Sequence, residues 1–326
     1  MNLGLDLGYS ATKVIAGDRR VAFPSITGTP DRARFSINGA EAIILEEPHA
    51  AQVGAEAVRQ SRFIEPREDR HWIESEAWYT LFLAALTEIT SATRAELNLV
   101  TGLPVAFYDD RATVRERLLG EHRAQRRGRH AQVFVVSRCT VVPQPFGTVL
   151  SVALNDQGRI VDELLATGTA GIIDVGGKTT NILAVDRLRE IRDETTSVSV
   201  GAWSVVRALR DYFATEYPGL EDLRGHEIIK AVIDRSVRYY GETIDLTNVV
   251  GRTLEPLASQ VVAEASSLWN GGATLDAILV AGGGALLLEP YIKRHFRHAR
   301  VVEDPIFANA LGYYHFAERL ARRQPE

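Results

Sequence analysis

The feature that most constrains this chain is an internal repeat. Asp6-Leu-Gly-Tyr-Ser-Ala-Thr-Lys-Val14 returns as Asp174-Val-Gly-Gly-Lys-Thr-Thr-Asn-Ile182. Asp6 matches Asp174, Gly8 matches Gly176 and Thr12 matches Thr180, all at an offset of 168 in a chain of 326 residues. Each copy follows a short apolar run (Leu3–Leu5; Gly171–Ile173) and leads into a β-branched stretch (Thr12–Ile15; Thr180–Val185). The pattern reads strand, glycine turn, strand, once per half. A single Asp-x-Gly is an ordinary turn. Two in register, half a chain apart, call for two halves built on one plan.

Periodicity fills in the plan. Apolar runs predict strands over Leu3–Leu7, Thr12–Ala16, Arg20–Phe23, Leu97–Thr101, Gln132–Val136, Gly171–Asp174, Asn181–Val185 and Ala277–Ala281. From about Ser75 to Ser91, Trp78, Leu81, Phe82, Ala85, Leu86 and Ile89 recur at helical spacing and predict a helix with one buried face. Further helices are predicted over Asp110–Leu119, Gly147–Leu154, Ala202–Tyr217, Gly225–Asp234, Leu254–Trp269, Leu286–Phe296 and Phe307–Arg322. Strands alternating with helices indicate an α/β protein. Ala33 to Glu65 reads as irregular small-strand sequence, an inserted subdomain. The turn signal Asn155-Asp-Gln-Gly158 puts the inter-domain connection between Asn155 and Thr169.

The glycine turns carry the chemistry. Gly8, and Gly176 with Gly177, let backbone N–H groups point into a concavity that suits phosphate oxygens. Ser10 and Thr12 in the first turn, and Thr179 and Thr180 in the second, add hydroxyl donors, and Lys13 and Lys178 add positive charge. Asp6 and Asp174 end the strands just before the glycines, where carboxylates suit Mg²⁺ and its waters. A third glycine element, Ala277-Ile-Leu-Val-Ala-Gly-Gly-Gly-Ala-Leu286, takes a buried strand through Gly282–Gly284 into a helix. It allows close approach of a flat or anionic ligand beside a helix N-terminus. Neither the dinucleotide-binding Gly-x-Gly-x-x-Gly nor a P-loop is present.

Composition excludes several classes. A net charge of −5 argues against a surface that is mainly a nucleic-acid footprint. One cysteine, Cys139, permits no intramolecular disulfide or Cys-rich metal cluster, and it reads as a buried small residue. The longest nearly apolar run, Ala277–Leu288, is 12 residues with three glycines, too short to span a bilayer. No basic-then-apolar leader opens the sequence, so a cytoplasmic protein is expected. The eight histidines form no metal-ligand pattern. Arg123-Ala-Gln-Arg-Arg-Gly-Arg-His130 reads as a solvated hairpin or loop, with contact to an acidic partner or neighbouring subunit as the alternative. Only four lysines occur, Lys13, Lys178, Lys230 and Lys293, and two of them fall in the glycine turns.

The two phosphate turns and the Gly282–Leu286 turn, in this order, resemble those of the actin/heat-shock-chaperone/sugar-kinase ATPase superfamily. Gly4-Leu-Asp-Leu-Gly-Tyr9, Val21-Ala-Phe-Pro-Ser-Ile26, Thr101-Gly-Leu-Pro-Val105, Val142-Pro-Gln-Pro145 and Asp304-Pro-Ile-Phe-Ala-Asn-Ala-Leu-Gly-Tyr313 narrow the resemblance. They are similar to the plasmid-segregation actin-like proteins (ParM/StbA-like) and their archaeal relatives. The resemblance implies an actin-like ATPase fold, with two related α/β domains and smaller inserted subdomains flanking a nucleotide cleft. The expected domains are residues 1–160, with an insertion at about 24–95, and 161–326, with the helix at about 305–322 packing back on the first domain.

Site roles follow from the same resemblance. Gly8, Tyr9, Ser10, Ala11, Thr12 and Lys13, together with Gly176, Gly177, Lys178, Thr179 and Thr180, would hold the phosphates. Asp6 and Asp174 would organise Mg²⁺, with Asp174 also catalytic. Gly201, Glu227, Lys230, Gly282, Gly283, Gly284, Ala285 and Leu286 would line the adenosine site. Gln144 falls where the family positions the attacking water; plasmid-segregation members often carry an acid there, and a neutral amide can only orient water. The implied activity is slow hydrolysis of Mg²⁺-ATP, or GTP, coupled to a homopolymeric filament. DNA would be engaged through a DNA-binding adaptor, without direct nucleic-acid or membrane contact. A small-molecule kinase and a non-polymerising ATP-binding scaffold of the same superfamily are the competing readings.

Overall fold

The computed structural model describes residues 1–30, 42–55, 57 and 70–322. The chain divides into two compact units: Met1–Asp162 with Phe307–Glu326, and Glu163–Ile306. Of the expected insertion at 33–65, residues 33–41, 56 and 58–65 lie outside the described residues.

The first unit opens with β1 (Asn2–Leu7), β2 (Ala11–Ala16), β3 (Arg19–Pro24) and the short β4 (Thr27–Gly28), β5 (Ile43–Leu45) and β6 (Ala51–Val53). Helix α1 (Glu76–Ile89), β7 (Arg94–Leu103), helix α2 (Arg111–Leu118), β8 (Gly120–Gln125), β9 (Ala131–Pro143) and helix α3 (Phe146–Ala153) follow. The main sheet runs β3-β2-β1-β7-β9-β8. Its centre, β1, β7 and β9, is parallel, and β2, β3 and β8 join antiparallel. Ser75 caps α1 by accepting from the Trp78 N–H at 3.2 Å. The periodicity predicts one buried face on α1, yet Thr80, Leu83, Ala84 and Thr87 are buried as well. The reason is a second layer: α1 touches β1, β2 and β3 of the main sheet and also β4 and β6 of the small sheet.

The C-terminal helix, Ala308–Arg322, belongs to this unit and packs on α3, β1 and β7. Its close approach depends on missing side chains. A Cβ on Gly4 would overlap the Ala310 carbonyl, and one on Gly312 would overlap the Gly147 carbonyl.

The basic run Arg123–His130 forms the β8–β9 hairpin, the first of the two expected forms, but the expected solvation does not extend to all of its arginines. Arg126 is only 2% exposed and pairs with Glu88 on α1, while Arg127 reaches Glu46 at 2.7 Å and Arg129 donates to the Thr87 carbonyl at 3.0 Å. Glu88 and Thr87 lie on α1 and Glu46 just after β5, so Arg126 and Arg129 tie the hairpin to the helix and Arg127 ties it to the end of β5.

The second unit contains helix α4 (Glu163–Thr167), β10 (Thr169–Val175), β11 (Thr180–Asp186), β12 (Arg189–Glu190), β13 (Thr196–Val198), α5 (Ala202–Glu216) and α6 (Gly225–Asp234). It continues with β14 (Ser236–Tyr239), β15 (Glu242–Asp245), α7 (Thr247–Leu268), β16 (Ala277–Ala281), α8 (Ala285–His295) and β17 (Ala299–Val301). Its sheet runs β12-β11-β10-β16-β17, the order of β3-β2-β1-β7-β9. β10, β16 and β17 are parallel, with β11 and β12 antiparallel. The sequence repeat is therefore a repeat of topology. Helix α7 starts earlier than the expected Leu254: Asp245 accepts from the Thr247 N–H at 2.9 Å at its start, and the helix runs on through Pro256.

Cys139 lies buried in β9, and desolvation pushes its thiol up to about 12. The thiolate is the reacting form. An aromatic disulfide reagent at pH 8 should therefore modify the native protein far more slowly than the urea-unfolded chain, measured by thiolate release.

Candidate functional site

In the first unit the parallel strands β1, β7 and β9 run side by side in that order and point their carboxyl ends the same way. Ligands in open α/β sheets gather at such carboxyl ends. Asp6 lies opposite Lys13 in the β1–β2 register, and Gly8, Tyr9 and Ser10 make the turn between them. The Asp6 carboxylate is 1% exposed. Lys13 Nζ donates to its Oδ2 at 2.9 Å, and Gln144 Nε2 donates to its Oδ1 at 2.8 Å. Gln144 follows β9 directly, so a helix-proximal residue from 138 positions away meets the first turn. An acid-facing amide must present its NH₂ group, which leaves Gln144 Oε1 as an acceptor.

The turn is fastened from behind. Ser25 Oγ donates to the Gly8 carbonyl at 2.6 Å, and the Ser25 N–H donates to the Ser10 carbonyl at 3.1 Å. Thr12 Oγ1 and Ser25 Oγ lie 3.0 Å apart. Ser25 spends its one proton on Gly8, so Thr12 is the donor of that pair. Thr12 is fully buried and its hydroxyl proton is committed, which corrects its expected role as a phosphate-facing donor. Thr180 gets the same correction: it is fully buried and donates to the Val200 carbonyl at 2.8 Å. Both threonines are strand residues that hold a turn. Tyr9 stacks on Trp72 with centroids 4.8 Å apart.

The second unit repeats the arrangement. Asp174, 4% exposed, ends β10, and Gly176, Gly177, Lys178 and Thr179 form the turn to β11. The Gly176 N–H donates to the Thr179 carbonyl at 2.9 Å. Gly201 stands directly against this turn: a Cβ there would lie 2.5 Å from the Gly177 carbonyl oxygen. The Ala202 and Trp203 N–H groups, at the start of α5, donate to the Gly176 and Gly177 carbonyls at 3.1 and 2.7 Å. Gly282, at φ +88°, packs its Cα face on Asp174 and Val175, and the Gly284 N–H donates to the Val175 carbonyl at 3.0 Å. The second and third glycine elements thus form one structure, with Ala285 buried and Leu286 exposed in the first turn of α8.

The register gives the two lysines different places. Lys13 faces Asp6, but Asn181 faces Asp174, and Lys178 sits in the turn at the position of Ser10. Applying the offset of 168 to Lys13 would have found Asn181, whose Oδ1 accepts from Ser197 Oγ at 2.9 Å. Glu227 and Lys230 are both exposed on α6 and have local partners. Glu227 accepts from the Arg224 N–H at 2.8 Å as a cap, and Lys230 pairs with Asp234 one turn on. Sequence reasoning missed Ser25, although Val21–Ile26 stood out as a segment; its signal was a serine next to a strand-ending proline.

The donor set suits Mg²⁺ carried by phosphates. Each turn offers one buried carboxylate beside glycines that a Cβ would crowd: on Gly8 it would lie 3.0 Å from the Ala11 carbonyl oxygen, on Gly176 2.8 Å from that of Thr179. No cluster of three or more His, Cys, Asp or Glu among the described residues is placed to hold a metal. Mg²⁺ commonly takes one or two carboxylates and completes its shell with phosphate and water.

Paired α/β units with one strand order, each with a glycine turn after its central strand, define the actin-like fold. Comparisons with known proteins agree. The family profile of actin-like proteins, N-terminal domain, matches residues 4–147, and that of the archaeal actin homologue MreB-like, C-terminal, matches residues 172–294. The chain belongs to the prokaryotic actin-like proteins. Among solved structures it is similar to a ParM from a 15-stranded filament of Clostridium botulinum, at 25% identity and TM-score 0.81, covering 98% of this chain and 99% of that one. It is also similar in fold to the archaeal actin homologue Ta0583, at 23% identity and TM-score 0.81, again over 98% and 99%. That protein has also been solved in complex with ADP, where the TM-score is 0.80 at 23% identity over the same shares. No curated protein sequence matches the chain significantly. No helix among the described residues is long and apolar enough to cross a membrane.

The contacts at Gly282 generate a test. Gly282→Ala forces a side chain at φ +88° to within 2.5 Å of Asp174 Oδ1. It should cost roughly 1–3 kcal/mol in urea unfolding. Gly283→Ala, with nothing within 4 Å of its Cβ, should stay within about 0.5 kcal/mol of the parent.

Proposed function

We propose that this chain is a slow Mg²⁺-ATPase whose nucleotide state controls its assembly into filaments, with both glycine turns serving one nucleotide. The observation that carries this reading is the Asp6–Lys13–Gln144 set beside the first turn, repeated in strand register by Asp174 in the second. A relative that assembles as a filament and another that binds ADP share the fold, which supports the reading.

Each group has a task. The backbone of Gly8, Tyr9, Ser10 and Ala11, and that of Gly176, Gly177, Lys178 and Thr179, cradles phosphate oxygens. Lys13 contributes positive charge while holding Asp6 in place. Asp6 and Asp174 would hold Mg²⁺, directly or through water. Bound Mg²⁺-ATP supplies the phosphoryl group and the charge compensation for its transfer to water. Gln144, with its NH₂ fixed on Asp6, offers Oε1 to a water proton and so orients the nucleophile without taking the proton. Hydrolysis is slow in this reading because the amide of Gln144 cannot itself remove that proton. Gly201 and Gly282–Leu286 line the nucleoside side, and Glu227 and Lys230 would contact it only by leaving their local partners. ATP is the nucleotide in this reading, with GTP the variant to test beside it.

The filament would be a homopolymer working in the cytoplasm, in DNA segregation or positioning. A net charge of −5 favours contact with DNA through a DNA-binding adaptor.

Sedimentation and light scattering test the assembly: ATP should produce pelletable polymer and its removal should not. Asp174→Ala should lower Mg²⁺-dependent turnover roughly 10²-fold and weaken nucleotide-dependent pelleting. Unchanged turnover would make the second turn purely structural. Gln144→Ala should slow hydrolysis roughly 10- to 100-fold, keep nucleotide affinity within about threefold and lengthen polymer lifetime. A large loss of affinity instead would remove Gln144 from the water-orienting role.

A further inference from the structure

We infer that Tyr313, on the C-terminal helix, is a positioning residue for Gln144; the inference rests on the water-orienting role proposed for that glutamine. Tyr313 is fully buried, and its hydroxyl donates to the backbone carbonyl of Gln144 at 2.8 Å across 169 residues of sequence.

Gln144 is held at every polar group of its backbone. Its N–H donates to the Leu103 carbonyl at 2.7 Å, at the end of β7. Its carbonyl accepts from the Gly147 N–H at 3.2 Å and from Tyr313. Pro143 and Pro145 flank it, and a residue before proline is kept out of the α region. The Gly147 bond is local and would move with the start of α3. The Tyr313 bond refers Gln144 to a distant helix that is itself pressed against β1 through Gly4. Strand β1 carries Asp6, the partner of the Gln144 side chain. Backbone and side chain of Gln144 are thereby referred to the same strand.

The hydroxyl is not explained by packing. The Gln144 carbonyl already has a donor in Gly147, so Tyr313 is not needed to satisfy it; a second donor uses the second lone pair and fixes the direction of the peptide plane. A ring needed only to fill space could be phenylalanine. The surroundings are also cut to admit the hydroxyl end: a Cβ on Gly102 would overlap the Tyr313 Oη, and one on Gly147 would come within 2.6 Å of its Cε1. Gly102 belongs to the Thr101-Gly-Leu-Pro-Val105 segment and Tyr313 to the Asp304–Tyr313 segment. One side chain accounts for two sequence segments to which no chemistry had been assigned.

The test is a double-mutant cycle on hydrolysis, run under single-turnover conditions with protein in excess so that slow variants remain readable. Tyr313→Phe should keep one cooperative thermal transition and a nucleotide dissociation constant within about twofold, yet slow the hydrolysis step about tenfold. In a Gln144→Ala background the same substitution should change that step by less than about twofold, because the two residues act as a unit. Two outcomes overturn the inference alone while leaving Gln144 its role: Gln144→Ala slows hydrolysis and Tyr313→Phe does not, or Tyr313→Phe slows both backgrounds by the same factor. If Gln144→Ala itself leaves hydrolysis unchanged, the water-orienting reading fails and the Tyr313 inference falls with it.

Discussion

The carboxylate of Asp6 sits at the end of β1 almost out of water, and its two oxygens are met by Lys13 Nζ and Gln144 Nε2. A buried charge persists only when it is paired and hydrogen-bonded; stripping one partner from such a pair costs about 3–5 kcal/mol. The partners come from the far side of the first hairpin and from the residue after β9. The ends of three strands are therefore fixed against each other by one charge. Gln144 can lie there because β9 ends at Pro143, and α3 starts at Phe146 behind a Pro145 cap. The C-terminal helix, entering over Gly4 and Gly147, completes the frame from the opposite end of the chain.

The second unit keeps the plan and changes the chemistry. Asp174 ends the matching strand, but the residue across from it is Asn181, so the cation of the first hairpin has no counterpart in register. Here backbone-to-backbone bonds join the Thr180 side chain in holding the turn. The start of α5 donates to the turn carbonyls, and Gly282 and Gly284 close against Asp174 and Val175. A turn held through its backbone carbonyls is suited to a ligand that brings its own charges, as a nucleotide with Mg²⁺ does.

Much of this was legible in the sequence because the repeat is local twice over. Strand, turn and strand are consecutive in each copy, Asn2–Ala16 and Thr169–Asp186, and the common offset of 168 exposes the shared topology. What was not legible depends on partners far away in sequence. The all-round burial of α1 needs the small sheet of β4–β6, which no periodicity within the helix can reveal. The basic run looked solvated because its partner Glu88 is 38 residues before Arg126. Thr12 and Thr180 looked like ligand donors because a hydroxyl in a turn motif does not show which way its proton goes; Ser25 and Val200 decide that. The bond from Tyr313 to Gln144 spans more than half the chain, and only the packed helix brings it about.

The central claim is that the two hairpins serve one nucleotide. Calorimetric titration of the protein with Mg²⁺-ATP at low temperature tests it most directly, comparing the parent with Gly8→Ala and Gly176→Ala, each of which puts a methyl group into one turn. The account predicts one nucleotide per chain and a loss of affinity of roughly tenfold or more in either variant alone. Two nucleotides per chain, or full affinity in either variant, would contradict it.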